Sequence, residues 1–199
     1  MLFGWQGSLG NGGAMRVAPV GLFFYDSPDI YEHVKASSVI THAHPVGIDG
    51  AAVVAAAVAE AVRMNPADSF DAARFCEKLL EMARTEDFQN KLRAVRRLID
   101  ENVAPKQAAD ELDRSFRADE SVPFAVYSFI RYPNSFQDCL LCAIGNGGDR
   151  DTLGAIASSI SGAFLGAQGI PSIWKSKLEN RDYLEKLGLL LLQTRQKSL

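Results

Sequence analysis

The amino-acid sequence predicts a single all-α domain over residues 1–199. Apolar residues recur at helical spacing along nearly the whole chain. Alternation of period two is short and scarce, and no Asn-Gly pair stands between two alternating runs, as a β-hairpin would need. The chain is long enough to bury a sizeable core, and 47% of its residues are hydrophobic.

The spacing of apolar residues also places the helices. Ile30, Val34 and Val39 predict a short amphipathic helix that begins at Ser27-Pro28, because serine caps helices and proline suits their first turn. Residues 51–62 are an Ala/Val run typical of a buried helix. Further helices are predicted over residues 70–82, 88–98, 105–117, 122–131, 135–145, 152–167 and 180–195.

Composition excludes several classes of protein. The chain has 21 basic and 24 acidic side chains, so it lacks the basic footprint of a nucleic-acid-binding protein. Residues 1–10 do not form a signal peptide, and residues 153–170 are too polar for a membrane span. Cys76, Cys139 and Cys142 are too few for a disulfide framework. We therefore expect a reducing intracellular location in the cytoplasm, nucleus or mitochondrion, without membrane attachment.

A first glycine-rich loop covers residues 7–16, with sequence GSLGNGGAMR. Its four closely spaced glycines permit positive φ and let backbone N–H groups approach an anion. It is not a Walker loop, because no Gly-Lys-Ser/Thr follows, and Met15 occupies the third glycine position of a dinucleotide fingerprint. Spacing alone leaves two interpretations open: a loop that cradles a ligand, or a tight turn between helices.

A second glycine-rich loop, residues 145–152, leads directly into a predicted helix. Asp149, Asp151 and Thr152 offer hard oxygen donors of the kind that Mg²⁺ prefers. The alternative is that Asp151 or Thr152 only caps the helix. The helix itself carries a stripe of small residues, which predicts close packing against another helix. These residues are Gly154, Ser158, Gly162 and Gly166.

Three other patterns are interpreted as structural. His42 and His44 lack a third partner for a zinc site, so one of them is expected to contact a ligand or to pack in a satisfied hydrogen bond. Cys139 and Cys142 lie in an apolar segment, which favours core packing over metal binding. The charges of residues 77–101 alternate in sign at helical spacing, as on a solvated helix face.

Taken together, these segments resemble the ADP-ribosylglycohydrolase family. The resemblance lies in residues 7–19 (GSLGNGGAMRVAP), 41–47 (THAHPVG) and 147–157 (GGDRDTLGAIA). Residues 120–127 (ESVPFAVY) match a similar family segment. The extension of that segment to Arg131 resembles the branch that removes ADP-ribose from serine and degrades poly(ADP-ribose).

The resemblance implies a compact multi-helix domain with two Mg²⁺ ions at the bottom of an ADP-ribose cleft, and metal-assisted hydrolysis at the anomeric carbon. The implied metal ligands are Asp149, Asp151 and Thr152. The implied substrate-binding residues are Gly7, Ser8, Leu9, Gly10 and Asn11, whose backbone groups face the diphosphate, with His42 on the ligand and Phe116 beside the adenine. The implied partners are ADP-ribose, ADP-ribosylated proteins or poly(ADP-ribose), and the complete protein is expected to be a monomer.

Two features depart from the family pattern. Arg150 stands between the aspartates where members usually have Thr or Ser, and a cation beside Mg²⁺ is unfavourable unless it turns outward. The family's Thr-Asp-Asp run and catalytic glutamate precede the glycine loop, which begins here at Gly7, and no Thr-Asp-Asp run occurs in the sequence. We therefore expect an N-terminally truncated domain, inactive alone, that is poorly stable or self-associates through apolar faces such as residues 51–62.

Two other functions remain open at this stage. One is a non-catalytic helical module that binds ADP-ribose or a protein partner, and the other is a helical scaffold that resembles the family by descent alone. The acceptor that would carry ADP-ribose also stays open among serine, arginine and the polymer.

Overall fold

The computed structural model describes residues 7–198, which contain twelve α-helices, no strand, and one β-bridge between Gly10 and Arg117. The helices are α1 Gly12–Met15, α2 Ala18–Phe23, α3 Ile30–Ser38, α4 Pro45–Arg63, α5 Ala72–Met82, α6 Glu86–Asp100, α7 Pro105–Leu112, α8 Ala118–Arg131, α9 Phe136–Gly145, α10 Arg150–Gly169, α11 Ser172–Lys177 and α12 Arg181–Ser198. The all-α prediction is confirmed.

Helix α4 is the central helix, and it packs against α1, α2, α3, α5, α8 and α10. Its small side chains allow this crowding: a Cβ added to Gly50 would lie 2.8 Å from the Cβ of Ala118 in α8. Likewise, a Cβ on Gly21 of α2 would lie 2.7 Å from the carbonyl oxygen of Ala55. The Ala/Val run is therefore a buried helix, as predicted.

Within residues 7–198, α4 is also the one helix whose length and mean hydropathy of 1.6 would allow it to cross a membrane. Of its most apolar stretch, 83% is buried inside the protein. A core helix shows such burial, so length and hydropathy are weak evidence for a membrane span.

Helices α8 and α10 complete the core beside α4. The predicted close packing of α10 is confirmed at Gly154, where a Cβ would lie 3.0 Å from Cγ2 of Ile144 in α9. It is wrong at Gly166, which has no neighbour within 4 Å and whose φ of +69° interrupts the helix. Cys139 and Cys142 are buried free thiols in α9, as predicted.

Several predicted boundaries are wrong. The helix predicted over 105–117 ends at Leu112, because Asp113 adopts a φ of +68° and the residues after it bond to other loops. Helix α3 begins at Ile30 rather than at Ser27-Pro28, since the Ser27 hydroxyl accepts the N–H of Asp29 in a turn before the helix. Helix α8 begins at Ala118, four residues earlier than predicted, with Pro123 inside it.

The apolar surface lies elsewhere than predicted. Residues 51–61 are mostly buried, so the expectation that this run is an exposed face is wrong. Large exposed apolar side chains occur instead on α12, among them Tyr183, Leu187 and Leu190. Helix α12 contacts mainly α2, where Arg195 donates to the carbonyl oxygen of Phe23 over 2.8 Å.

Candidate functional site

The two glycine-rich loops meet near the N-termini of α4 and α10. The side-chain Nδ2 of Asn11 donates to Oδ2 of Asp149 over 2.7 Å and to Oγ of Ser121 over 3.0 Å. Asn11 is only 6% exposed, so these bonds are shielded from water. A single side chain thus joins the loop expected to hold ADP-ribose to the loop expected to hold metal.

Residues 113–117, which we call the connector, attach to both loops. The carbonyl oxygen of Phe116 accepts the N–H of Asn11 at 2.9 Å, and just past the connector the N–H of Ala118 donates to Leu9 at 3.1 Å. On the other side, the carbonyl oxygen of Arg114 accepts the N–H of Asp149 at 2.9 Å. The segment predicted to end a helix is therefore a non-helical link between the two loops, with bends at Ser115 and Phe116.

The glycines before Asp149 are required by the backbone. Gly147 and Gly148 have φ values of +86° and +76°, which L side chains rarely adopt. A Cβ on Gly148 would also overlap the carbonyl oxygen of Arg114. The turn they form brings the N–H of Asp149 to the connector.

The capping interpretation of this loop holds in part for Asp151. Asp149 occupies the N-cap position of α10 without a side-chain capping bond, whereas Oδ1 of Asp151 accepts the N–H of Thr152 in the first turn at 3.0 Å. Thr152 is buried, and its hydroxyl donates to the sulfur of Met15 over 3.4 Å. The bond within the first turn uses one oxygen of Asp151 and accounts for neither Asp149 nor Thr152.

The carboxyl groups of Asp149 and Asp151 lie at the start of the same helix. Hydrogen bonding with the Asp149 side chain, and then with the N–H of Thr152, lowers the pKa of the Asp151 carboxyl. Two carboxylates this close repel when both are ionised, and a divalent cation between them would relieve that repulsion. Together with the Thr152 hydroxyl they supply the hard oxygen donors that suit Mg²⁺. The residues present therefore fit part of a Mg²⁺ coordination sphere.

The side chain of Arg150, which stands between the two aspartates, is exposed and makes no ion pair within residues 7–198. The carboxylate of Asp119 is paired with Arg117, which donates to both of its oxygens at 2.8 and 3.1 Å. Over the described part of the chain, no cluster of three or more His, Cys, Asp or Glu side chains has metal-binding geometry.

His42 lies against the first loop. Its Nε2 would be 2.9 Å from a Cβ placed on Gly12, which explains why that position has no side chain. On the other edge of the ring, Nδ1 lies 2.8 Å from Oγ1 of Thr41, and Arg16 donates to the same hydroxyl over 2.6 Å. Because arginine only donates, the Thr41 hydroxyl proton is available to Nδ1, which leaves the proton of a neutral imidazole on Nε2.

Burial, and then the charge of Arg16, lower the pKa of His42. The neutral ring therefore offers an Nε2–H donor toward the glycine loop. His44 has a different role: it caps α4, with Nδ1 accepting the N–H of Val46 at 3.2 Å. The two histidines thus contact different parts of the structure.

The remaining predicted binding residues lie around the same loop. Gly7 has a φ of +79° and packs against Ala43. A Cβ added to Gly47 would lie only 2.8 Å from the carbonyl oxygen of Ser8. The N–H groups of Gly10 and Asn11 are already bonded, to Oγ of Ser8 and to Phe116. Within residues 7–198, the N–H groups of Ser8 and Leu9 have no acceptor, so they are among the loop donors that can face a diphosphate.

Phe116 combines two features. Its backbone holds the glycine loop, and its side chain is 65% exposed beside that loop. A large exposed aromatic ring at a ligand loop is suited to stacking on a planar base.

Sequence reasoning missed two residues of the site, Ser121 and Arg114. Ser121 lies in the segment 120–127, but its contact with Asn11 spans 110 positions and no local pattern shows it. Arg114 lies within the helix predicted over residues 105–117 and was therefore not considered as a site residue. The Asp113-Arg114-Ser115 sequence is rich in turn-forming side chains and could have indicated the break.

Two cavities lie at the other end of α4. One of about 410 Å³ is lined by residues that include Phe70, Phe75 and Phe164, and another of about 430 Å³ includes Tyr25 and Met82. Neither touches the glycine loops.

Comparisons with known proteins point to one family. The sequence matches the ADP-ribosylglycohydrolase family over residues 3–198. ADP-ribosylhydrolase ARH3 of Bos taurus is 30% identical, covering 99% of this chain and 61% of the relative. ADP-ribosylhydrolase ARH3 of Xenopus tropicalis is 33% identical, covering 94% of this chain and 62% of the relative. The chain therefore spans about three fifths of the length of these relatives.

A solved structure, described as an ADP-ribosylglycohydrolase-related protein complex, superposes with a TM-score of 0.68. It is 24% identical and covers 95% of this chain and 62% of the other. This likeness confirms the fold.

Proposed function

Because the chain belongs to the ADP-ribosylglycohydrolase family, we propose that it binds ADP-ribose at the first glycine loop and serves in the hydrolysis of ADP-ribosyl linkages. The acceptor is serine on proteins or the poly(ADP-ribose) polymer, as the similarity to ADP-ribosylhydrolase ARH3 favours. The observation that carries the proposal is the 2.7 Å contact between Asn11 and Asp149, which brings the two loops into one site.

The residues of the first loop have binding roles in this proposal. The N–H groups of Ser8 and Leu9 and the Nε2–H of His42 are donors for the diphosphate, whose negative charge they offset. The ring of Phe116 is exposed where an adenine can stack on it. Binding at several points fixes the ribose relative to the second loop.

Asp149, Asp151 and Thr152 are the proposed Mg²⁺ ligands of this chain. A bound Mg²⁺ would orient the ribose hydroxyls and stabilise the charge that develops as the glycosidic bond breaks. Asn11 holds Asp149 in place, and the connector holds both loops. The part that these residues take in the reaction is to bind and orient the substrate.

Calorimetry tests the binding step directly. ADP-ribose titrated into the chain with Mg²⁺ present should release heat, and Asn11→Ala should weaken that binding. Asn90→Ala, an exposed change on α6, is the matched control and should bind like the parent chain. A folded parent chain that gives no heat of binding contradicts the proposal.

Hydrolysis needs a second assay. Release of ADP-ribose from a serine-modified peptide is measured with the chain alone and with an added fragment that contains the part of a relative this chain does not match. Release in either mixture supports a hydrolytic function. Binding without release in both mixtures would instead favour a non-catalytic ADP-ribose-binding module, an interpretation consistent with a sequence that contains no Thr-Asp-Asp run.

A further inference from the structure

The side chain of Arg114 makes three hydrogen bonds around the second glycine loop. Its Nε donates to the carbonyl oxygen of Asn146 over 2.6 Å, and Nη1 donates to the carbonyl oxygen of Ala109 over 2.6 Å. Its Nη2 reaches Oδ1 of Asp110 at 3.0 Å. One side chain thus ties the last turn of α7 to the residue that precedes the two glycines.

Arg114 also contacts the Asn146–Gly148 turn through its backbone and the base of its side chain. Its carbonyl oxygen accepts the N–H of Asp149, and its Cβ and Cγ lie so close to Gly148 that no side chain fits there. Gly147 and Gly148 both have positive φ, so the turn has little local preference for one shape and needs outside contacts to hold it.

From these contacts we propose that Arg114 is a positioning residue, which fixes Asp149 and the start of α10 through the Asn146–Gly148 turn. The inference rests on the proposed function, because it assigns to Asp149 the role of a metal ligand. Arginine suits this task because its planar group presents donors in several directions at once, whereas lysine offers one compact charge.

The route from Arg114 to the ligands is short. Asp149 is both the residue that Arg114 holds and the N-cap of α10, so a shift of the turn moves its carboxylate relative to Asp151 and Thr152 in the first turn of that helix. Coordination of Mg²⁺ requires near-ideal octahedral geometry, so a small shift weakens binding strongly.

The test compares three variants of the full chain. Arg114→Met keeps the aliphatic stem under Gly148 and removes all three donors, while Arg114→Lys restores one donor and the charge. Arg93→Met, an exposed arginine of α6 that bonds only to Asn90 among the described residues, is the control. Two quantities are measured: amide hydrogen exchange at Asp149 and Leu153 without any ligand, and the Kd for Mg²⁺ alone by calorimetry.

We expect Arg114→Met to speed exchange at Asp149 and Leu153 about tenfold and to raise the Kd for Mg²⁺ about tenfold, with exchange in α6 unchanged. Arg114→Lys should fall between the parent and Arg114→Met, and Arg93→Met should match the parent. If exchange in α6 accelerates to the same extent, Arg114 stabilises the whole fold and the inference is wrong.

The two proposals can fail separately. If the parent chain binds Mg²⁺ and Arg114→Met changes neither its Kd nor the exchange at Asp149, the positioning inference alone is overturned. If the parent chain binds no Mg²⁺ while exchange at Asp149 still accelerates in Arg114→Met, the positioning role is supported and the metal part of the proposed function is overturned.

Discussion

The amide of Asn11 donates to the carboxylate of Asp149 across 138 positions of sequence, over 2.7 Å and almost out of contact with water. Asn11→Ala removes this bond and the one to Ser121 and leaves a half-buried carboxylate without its donor. We expect the free energy of unfolding to fall by about 1.5–3 kcal/mol, the range for hydrogen bonds to charged groups. Urea denaturation measures this, and Asn90→Ala should stay within about 0.5 kcal/mol of the parent.

Gly148 and Gly145 offer a matched pair of glycines in one loop. Gly148→Ala forces a Cβ into the carbonyl oxygen of Arg114 at a φ of +76°, so we expect a loss of about 1–3 kcal/mol in stability. A Cβ added to Gly145, at the end of α9, would meet no neighbouring atom within 4 Å. Gly145→Ala should therefore be neutral or stabilise the protein by up to about 1 kcal/mol. Equal melting temperatures for the two variants would contradict the geometry of this turn.

Asp49 is a fully buried carboxylate that joins α4 to the turn between α5 and α6. It accepts the N–H groups of Arg84 and Thr85 at 2.7–3.0 Å and the Thr85 hydroxyl at 2.6 Å. Asp49→Ala leaves these donors without an acceptor, and we expect a loss of at least about 2 kcal/mol. Asp68→Ala, at an exposed loop position, is the control for thermal unfolding; a similar small loss in both would mean that the buried bonds matter little.

His42 should make stability depend on pH. Burial and Arg16 lower its pKa below the ordinary 6.5, so the unfolded chain binds more protons than the folded one between the two pKa values. The free energy of unfolding should therefore fall as the pH drops below about 6.5. His42→Gln should flatten this dependence of stability on pH, whereas His33→Gln, on α3, should leave it in place. Urea denaturation of both variants across the pH range measures the difference.

The apolar face of α12 should cause self-association of this chain. Tyr183, Leu187 and Leu190 are 43–61% exposed and repeat at positions i, i+4 and i+7, on one side of the helix. We expect Leu187→Lys with Leu190→Lys to lower the sedimentation coefficient at high concentration. Gln196→Lys adds a charge at an exposed position of the same helix outside this face and should leave association unchanged. A parent chain that stays monomeric would show that the face is inert.

The sequence predicts best those helices in which close packing dictates the size and polarity of the side chains. The run at residues 51–62 is small and apolar because other helices pack on α4 from several sides, and that composition is visible without coordinates. Helices α1, α2 and α11 have four to six residues, which is too short for a periodic signal.

The bonds that the connector makes could not be predicted, although the turn-forming residues Asp113 and Ser115 could have indicated where the helix ends. Spacing up to residue 117 favours a continued helix, but the carbonyl groups of Arg114 and Phe116 accept bonds from loops far away in sequence. Those bonds replace the helical ones, and tertiary contacts of this kind leave no local pattern. The family resemblance placed the loops of the site, whereas the residues that support them became visible only in three dimensions.

The connector also limits how the chain can change in length. One residue adds or removes up to about 3.3 Å of a non-helical segment, more than a hydrogen bond tolerates. With one loop attached at Arg114 and the other at Phe116, a changed spacing between these two residues would detach one of the loops. Exposed loops usually accept insertions. We expect the connector, by contrast, to keep its five residues in any variant that retains both loops.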